Sequence, residues 1–273
     1  MKKFIVFIIL INTLSIFSQR DKMILPNGFG REIQFSNTFI TPLFSVYLNK
    51  NKELYFEDKK LNFEQLGDTI FKYRNLIKPD LVISTIIQFY GDKNLSYRDV
   101  ENVKDQLISA SMLRFMYRTD NIEDVSKGFF VRLGKATYPK KDKPLTKNAL
   151  KKIGIGKNSI DEVEDELYNF NFEKVKTLLK RFNYKEIYFI KNGKIKIGKE
   201  KFSSEEINKV FDLLKETEFV FLNTSPKTSY KDYLRNLILL SNLYKENKKR
   251  FALIEITNRL KQRMNKKNFI LSK

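Results

Sequence analysis

The chain has 273 residues and a formal net charge of +20, and 42% of its residues are hydrophobic. This length is typical of two domains, and the apolar content lets each half bury a core, which argues against a disordered chain. Because Cys and His are absent, disulfide bonds, thiolate nucleophiles, Cys-based zinc sites and Ser-His-Asp or Cys-His mechanisms are excluded. We therefore expect a protein that is not an enzyme, with no catalytic residues, no cofactor and no metal ligands.

The positive charge is carried by far more lysine than arginine. Lysine spread over a surface forms a solvated coat, whereas base readout favours the planar guanidinium group of arginine. A charge excess alone is a weak signal for nucleic-acid binding. We therefore expect no nucleic-acid partner.

The N-terminus has the pattern of an export signal. Met1-Lys2-Lys3 is followed by a run from Phe4 to Phe17 that only Asn, Thr and Ser interrupt, and Ser18 is the small residue expected before a cleavage site. A basic start with about 7–15 apolar residues is typical of a secretory signal peptide, whereas a spanning helix needs about 20. Residues 1–19 are therefore predicted to be a signal peptide or an uncleaved signal anchor. The expected location is the periplasm or the cell envelope.

Two parts of the chain are similar to each other. Residues 51–66 align without a gap to residues 192–207, and residues 96–100 align to residues 229–233. In each copy the first stretch predicts a short strand and a capped helix, and the second predicts the start of another helix. An ordered repetition of this kind predicts two copies of one structural module.

Four residues in the repeat are predicted to cap helices. Asn62 and Ser203 each precede a Gln or Glu by three positions, and Ser96 and Ser229 each precede an Asp by three positions. Such pairs satisfy the free amide groups at a helix start. An apolar stripe that should face the core follows each cap. These stripes are Leu66, Ile70 and Tyr73; Val100, Val103 and Leu107; Ile207, Phe211 and Leu214; and Tyr233, Leu237, Leu240 and Tyr244.

Runs of β-branched and aromatic residues predict four strands in each half. They cover residues 44–48, 53–56, 81–88 and 112–119, and then 186–190, 194–197, 219–223 and 251–256. Asn192-Gly193 is a two-residue hairpin turn. Each half therefore has the order β-β-α-β-α-β. The predicted fold class is α+β, with two tandem modules, each one small sheet with two helices packed on one face.

The predicted domain boundaries follow from these elements. Module 1 covers residues 20–122, and a basic linker rich in Lys, Pro and Gly covers residues 123–160. Module 2 covers residues 161–262 and begins with a leading helix at a cluster of acidic residues. A basic tail, expected to be frayed, covers residues 263–273.

Several motifs of the first module together resemble a known family. They are Leu25-Pro26, residues 53–56, Asn62 to Gln65, the strand 81–87, Asp92-Lys93, Tyr97 to Asp99 and residues 114–119. Over residues 24–120 this pattern is similar to the periplasmic domain of the ExbD/TolR biopolymer-transport family. Residues 186–257 carry a weaker version, in which Ser225-Pro226-Lys227 stands in place of the Asp-Lys pair.

The resemblance implies a partner-binding or scaffolding role outside the cytoplasm. The expected partners are envelope proteins of the ExbB/TolQ or TonB type, with peptidoglycan as a further candidate and a dimer left open. A family member uses an Asp in its transmembrane helix to exploit the proton gradient, but the one apolar segment here has no acidic residue, so we expect no proton conduction. Exposed strand edges are suited to a partner strand, and the basic linker and tail to peripheral contact with anionic lipid.

The alternative function is a periplasmic protein that binds the cell wall or degrades it with carboxylates. Degradation requires two acidic groups about 5–10 Å apart in a cleft. Glu64 and Glu205 are expected in the first turns of helices, and Asp99 and Asp232 in caps. Tyr97 and Tyr230 are expected to pack beneath helix starts rather than to contact a ligand. The residues that contact a partner are not identified.

Overall fold

A computed structural model describes residues 23–32, 42–82, 84–134, 160–246 and 252–271. They form a six-stranded sheet in the first half and a five-stranded sheet in the second, with helices in both halves. The predicted α+β class with two sheet modules is therefore confirmed. The predicted signal segment, residues 1–19, and most of the predicted linker lie outside the described residues. In the described part, no helix combines the length and the apolar character needed to cross a membrane.

Module 1 is a mixed sheet with two main helices. Its elements are β1 (Leu43–Leu48), β2 (Leu54–Phe56), β3 (Lys59–Leu61), α1 (Phe63–Arg74), the helical turn α2 (Pro79–Val82), β4 (Ile86–Gly91), α3 (Tyr97–Ser109), β5 (Arg114–Arg118) and β6 (Gly128–Arg132). The strand order is β3-β2-β1-β4-β5-β6. The strands joined by helical crossovers, β1, β4 and β5, run parallel, and the hairpin neighbours run antiparallel.

Module 2 repeats this topology after two leading helices. Its elements are α4 (Ile160–Tyr168), α5 (Phe172–Leu179), β7 (Tyr184–Phe189), β8 (Ile195–Ile197), β9 (Glu200–Phe202), α6 (Ile207–Leu214), β10 (Phe219–Thr224), α7 (Tyr230–Glu246), β11 (Ala252–Glu255) and α8 (Asn258–Lys266), with 3-10 turns at Lys191–Gly193 and Ser204–Glu206. The order β9-β8-β7-β10-β11 matches the first five strands of the other sheet. The parallel and antiparallel pairs also match.

The main core is shared by both modules. Alternate strand residues such as Val46, Leu48 and Phe89 point to the same side as the buried residues of α1 and α3. In module 2 the strand residues Ile187 and Leu222 pack with α6 and α7, and all of these residues belong to one continuous cluster. The opposite face of the module 2 sheet packs on α4, α5 and α8 in a second cluster.

Two details of the predicted strands were wrong. The predicted strand over residues 81–88 begins only at Ile86, because Pro79 starts a helical turn, a position that suits proline. The strands β3 and β9 were not predicted, since each has three residues and its first two are exposed charged side chains. The Asn192-Gly193 turn has positive φ at both residues.

The apolar stripes are buried, with one partial exception. Tyr73 is 38% exposed, although its ring centroid lies 5.0 Å from that of Phe56. The other stripe residues whose side chains the structure describes are buried. The side chain of Tyr244 lies outside the described residues.

The predicted linker and tail boundaries also differ from the structure. Gly128–Arg132 pair with β5 as strand β6, so the module 1 sheet extends into the segment 123–160 predicted as linker. The tail predicted from residue 263 is ordered as the end of α8, with Phe269 and Leu271 buried beyond it. Helix α8 is rich in basic residues, but Leu260 and Met264, four positions apart, form a buried apolar face.

Candidate functional site

In each module the helical segment that follows the edge strand begins at the predicted cap. Asn62 precedes α1, and Ser203 precedes the 3-10 turn that leads into α6. The backbone N–H of Asn62 donates to Oε1 of Gln65 at 3.0 Å. In the same way, the backbone N–H of Ser203 donates to Oε2 of Glu206 at 3.0 Å. Both interactions satisfy amide groups that a helix start leaves without an intrahelical partner. These residues orient α1 and the helical start of α6.

The second helix of each module also begins at the predicted serine. Oγ of Ser96 accepts from the backbone N–H of Asp99 at 3.4 Å, and Oγ of Ser229 accepts from the backbone N–H of Asp232 at 3.2 Å. Burial alone would raise the pKa of Asp99, but hydrogen bonds from Ser96 and Lys52 outweigh burial and lower it. Asp99 is therefore an ionised capping group.

The two capping serines meet at the contact between the modules. Ser96 and Ser229 form an isolated antiparallel bridge. The N–H of Tyr97 donates to the carbonyl that precedes Ser229 at 2.7 Å, and the N–H of Tyr230 donates to the carbonyl that precedes Ser96 at 2.8 Å. Equivalent atoms of the two repeats thus exchange equivalent hydrogen bonds, as at an isologous two-fold interface. We call this contact, residues 95–97 with residues 228–230, the junction.

At the junction each module inserts a tyrosine into the other. Tyr97 and Tyr230 are both fully buried. The ring centroid of Tyr230 lies 5.8 Å from that of Phe89 and 6.0 Å from that of Tyr117, both in module 1. The hydroxyl of Tyr97 donates to Oε1 of Glu255 in module 2 at 2.6 Å. These tyrosines do pack, but against the opposite module rather than beneath their own helices.

Beside the inserted tyrosines lies a buried ion pair between the modules. The side chain of Lys104 is 1% exposed and donates to Oε2 of Glu255, which is 21% exposed. Oε1 of Glu255 also accepts from the hydroxyl of Tyr233 at 2.9 Å, and that hydroxyl lies 3.1 Å from the hydroxyl of Tyr117. We call Tyr97, Lys104, Tyr117, Tyr233 and Glu255 the junction cluster.

The junction cluster keeps its carboxylate ionised. Burial acts to raise the pKa of Glu255, but the charge of Lys104 and hydrogen bonds from Lys104 and two tyrosines outweigh burial and lower it. The Lys104 ammonium also lies 5.5 Å and 5.4 Å from the ring centroids of Tyr97 and Tyr233, within the range of cation–π attraction. The charges of Lys104 and Glu255 are therefore compensated by each other and by the surrounding tyrosines.

A second buried acid links the modules one helical turn away. Glu101 is 5% exposed, and its Oε1 accepts from the backbone N–H of Asn258, the first residue of α8, at 2.6 Å. Burial raises its pKa to about 7, against the opposing effects of the Asn258 N–H and Lys104. Glu101 therefore changes charge near neutral pH.

Sequence reasoning missed the junction cluster and Glu101. A signal was present, since Glu101 and Lys104 lie on α3 directly after Val100 and Val103 and share the buried face of that helix. Charged residues in such a stripe are almost never fully buried unless they are paired. The partner, Glu255, is 151 positions away, which local patterns do not reveal.

A cavity of about 240 Å³ adjoins the junction cluster. Lys104, Tyr233 and Glu255 contribute to its lining together with residues of β6 and α4. Glu255 uses both carboxylate oxygens within the cluster, and Glu101 is not among the residues that line this cavity. Glu164 of α4 does line the same cavity as Glu255, so the two acids that share this space are Glu164 and Glu255, not Glu101 and Glu255.

The other acids considered from the sequence lie at helix starts. Glu64 is in the first turn of α1, and Glu205 is in the 3-10 turn that precedes α6. Among the described residues, no group of three or more acidic side chains is placed to hold a metal ion. Comparison of the chain with known protein families, with curated proteins and with solved structures returns no match. The geometry of the chain itself carries the functional proposal.

Proposed function

We propose that the protein is an exported, non-enzymatic ExbD/TolR-like protein that acts as a partner-binding or scaffolding component of an envelope transport system. The observation that carries this proposal is the junction. Two modules of one topology exchange equivalent backbone hydrogen bonds and equivalent tyrosines within a single chain. The chain thereby holds two copies of a module in a fixed pair, which otherwise requires two chains.

The use of charged groups at the junction supports a scaffolding role. Lys104, Glu255 and Glu101 each make at least one hydrogen bond or ion pair with a group of the opposite module. Removal of one partner from a buried pair leaves an uncompensated charge, which costs about 3–5 kcal/mol. Groups that form this cluster therefore resist relative movement of the modules. Each module keeps a constant orientation toward whatever binds the other.

Strand β6 supports partner binding through an added strand. It ends the strand order of the module 1 sheet. At its start the N–H of Gly128 donates to the carbonyl of Arg31, and Glu32 forms an isolated bridge with Lys127. The rest of this edge is without a strand neighbour in the described residues. Its five residues, Gly128–Arg132, include no lysine, and Phe130 is 39% exposed. The opposite edge, β3, is short and begins with Lys59 and Lys60, features that discourage strand addition. We therefore assign partner binding to β6.

The proposed role does not include proton conduction. The apolar segment at the N-terminus carries no Asp or Glu, so it offers no protonatable group within lipid. The proton-driven step would belong to a partner of the ExbB/TolQ type. The chain would bind that partner and hold it in position. Its basic segments, rich in Lys, suit peripheral contact with anionic lipid.

Site-specific crosslinking in the native host tests this proposal. A photoreactive residue at Phe130 should crosslink to an envelope protein of the ExbB/TolQ or TonB type, identified by mass spectrometry, and the product should fractionate with the envelope. The matched control places the same residue at Lys201, on the edge strand β9 of module 2, and should not give that product. Recovery of cytoplasmic proteins alone from Phe130 would refute the proposal.

A second arm separates the scaffold from the wall-active alternative. The purified protein is incubated with peptidoglycan, and released fragments are followed by chromatography. Sedimentation with peptidoglycan without fragment release supports a wall-contacting scaffold. Release of fragments that Glu164→Gln or Glu255→Gln abolishes would establish the enzyme instead.

A further inference from the structure

A second, larger cavity lies in module 1 at the end of the sheet where β4 and β5 begin. Its volume is about 520 Å³, and its lining includes Arg74, Arg114 and Arg132, with Thr85 and Ser111. This volume is in the range of small-molecule sites. No Asp or Glu is among its described lining residues. The cavity is therefore strongly basic, which the lysine-rich surface of the chain does not by itself explain.

Two of the three arginines are directly opposite each other on neighbouring strands, which disfavours the pairing of those strands. Arg114 and Arg132 are direct partners across the antiparallel pair β5–β6, so their side chains lie on one face of the sheet. Like charges in that position repel each other and destabilise the strand pair. An anion bound between them would remove the repulsion.

The guanidinium groups are oriented by aromatic rings instead of carboxylates. Cζ of Arg114 lies 5.3 Å from the ring centroid of Phe130, and Cζ of Arg74 lies 5.8 Å from that of Phe71. Among the described residues, none of the three arginines of the cavity forms a salt bridge. A ring contact still leaves N–H donors at the edge of a guanidinium plane for an oxyanion.

Arg74 adds an independent observation that favours an anion in this cavity. Its Nε is buried and has no hydrogen-bond partner among the described residues. A buried donor without an acceptor costs about 1–3 kcal/mol. An anion in the cavity that Arg74 lines would supply such an acceptor.

The corresponding end of module 2 differs at two described positions. Strand β11 begins with Ala252 where β5 begins with Arg114. Before β10, the position that Thr85 takes before β4 is occupied by Glu218, whose Oε2 accepts from the N–H of Asn183 at 2.9 Å. The repeats therefore differ at these two positions of the cavity lining.

We propose that this cavity is a binding site for a phosphate-bearing ligand, held by Arg74, Arg114 and Arg132. Arginine suits phosphate because its planar fork donates two parallel hydrogen bonds to two oxygens. Ser111 places a hydroxyl group beside the arginines, whereas the hydroxyl of Thr85 donates to the carbonyl of Leu81 at 2.9 Å. The site goes beyond the proposed scaffold function and does not depend on it. The phosphate belongs either to a free phosphate compound or to a lipid headgroup.

Two binding measurements on the full chain test the site. Calorimetry with inorganic pyrophosphate tests a free phosphate compound as the ligand. Flotation with phosphatidylglycerol vesicles, compared with phosphatidylcholine vesicles, tests a lipid headgroup. The test variant is Arg114→Gln with Arg132→Gln. The matched control is Lys199→Gln with Lys201→Gln, which removes the same charge from exposed positions of module 2. We expect affinity to fall about tenfold or more in the arginine variant and less than about twofold in the lysine control.

Pyrophosphate binding that depends on the arginines supports a free phosphate compound, and arginine-dependent binding to phosphatidylglycerol vesicles alone supports a lipid headgroup. Equal losses in both variants, or no binding to either probe at millimolar concentration, would overturn the proposal. Folding is checked by thermal unfolding, since loss of the like-charge pair should not lower the midpoint. Protection of the three arginines from phenylglyoxal by pyrophosphate gives an independent readout in the unmodified chain.

Discussion

At the level of single residues, the stability of the junction cluster depends on the ion pair between Lys104 and Glu255. Lys104→Met would leave the Glu255 carboxylate without its cation in a largely buried position, so we expect a loss of about 2–4 kcal/mol in the free energy of unfolding. The exposed pair Lys209–Glu206 is the control, because its side chains are 68% and 38% exposed. Lys209→Met should cost less than about 1 kcal/mol.

A double-mutant cycle measured by denaturant unfolding attributes the loss to this pair. Adding Glu255→Gln to Lys104→Met should recover part of the lost stability, because no unpaired charge then remains. Additive losses in the cycle would show that the two charges do not interact.

The two inserted tyrosines make a second prediction, since the repeats place one residue type in two environments. The hydroxyl of Tyr97 donates to Glu255, whereas the hydroxyl of Tyr230 is buried without a partner among the described residues. Tyr97→Phe should therefore lower the free energy of unfolding by about 1–3 kcal/mol. Tyr230→Phe should leave it unchanged or raise it, because an unsatisfied polar group is removed. Equal losses would contradict the described asymmetry.

At the level of helices, the serine caps of α3 and α7 should contribute independently of the ion pair. Ser96→Ala and Ser229→Ala should each lower the free energy of unfolding by about 0.5–2 kcal/mol, because each removes an acceptor from a helix start. Ser109→Ala, at the other end of α3, is the control. Ser109 is exposed, and its hydroxyl donates to the carbonyl of Asp105 and accepts from Arg259 at the long distance of 3.5 Å. Because both interactions are solvent-exposed, this change should be nearly neutral. If neither cap variant lowers the midpoint of chemical denaturation, these serines do not determine the helix starts.

These helix starts belong to the part of the fold that the sequence predicts. The caps and the Asn192-Gly193 turn involve residues within a few positions of each other, so a local sequence pattern predicts them. Strand β6 is different, because Gly128–Arg132 becomes a strand only by pairing with β5. Helix α8 likewise depends on burial of Leu260 and Met264 against the second core cluster. In both places the basic residues predict a linker or a tail, because a local sequence pattern does not show packing between residues that are far apart in the chain.

At the level of the whole molecule, the repeat predicts that two modules exist but not how they meet. The contact joins residues separated by more than a hundred positions, such as Tyr97 and Glu255. The repeats also diverge where the site lies. Tyr117 of β5 and Glu255 of β11 are at equivalent places beside Phe89 and Leu222, yet one is a phenol and the other a carboxylate. The duplicated fold therefore became asymmetric at its own junction, and a sequence repeat gives no sign of that change.

Glu101 makes the stability of the module pair dependent on pH. Its pKa rises from 4.5 to about 7 on folding, chiefly because of burial. Between these values the folded protein binds more protons than the unfolded chain, so stability must fall as pH rises. Neighbouring Asp105 acts in the same direction, since burial also raises its pKa. Lys104 and the N–H of Asn258 favour the ionised form of Glu101 and limit the effect.

The free energy of unfolding should therefore decrease by on the order of 2 kcal/mol between about pH 5 and pH 8. Because the chain has no His, the side chain that usually titrates in this range does not contribute. Glu101→Gln is the decisive variant, because an amide keeps the acceptor for the Asn258 N–H and cannot ionise. Its unfolding midpoint should depend less on pH over the same range, with only the contribution of Asp105 remaining. An unchanged slope would mean that Glu101 is ionised in the folded protein throughout. A flatter profile in the variant would identify Glu101 as the group through which alkaline conditions loosen the paired modules.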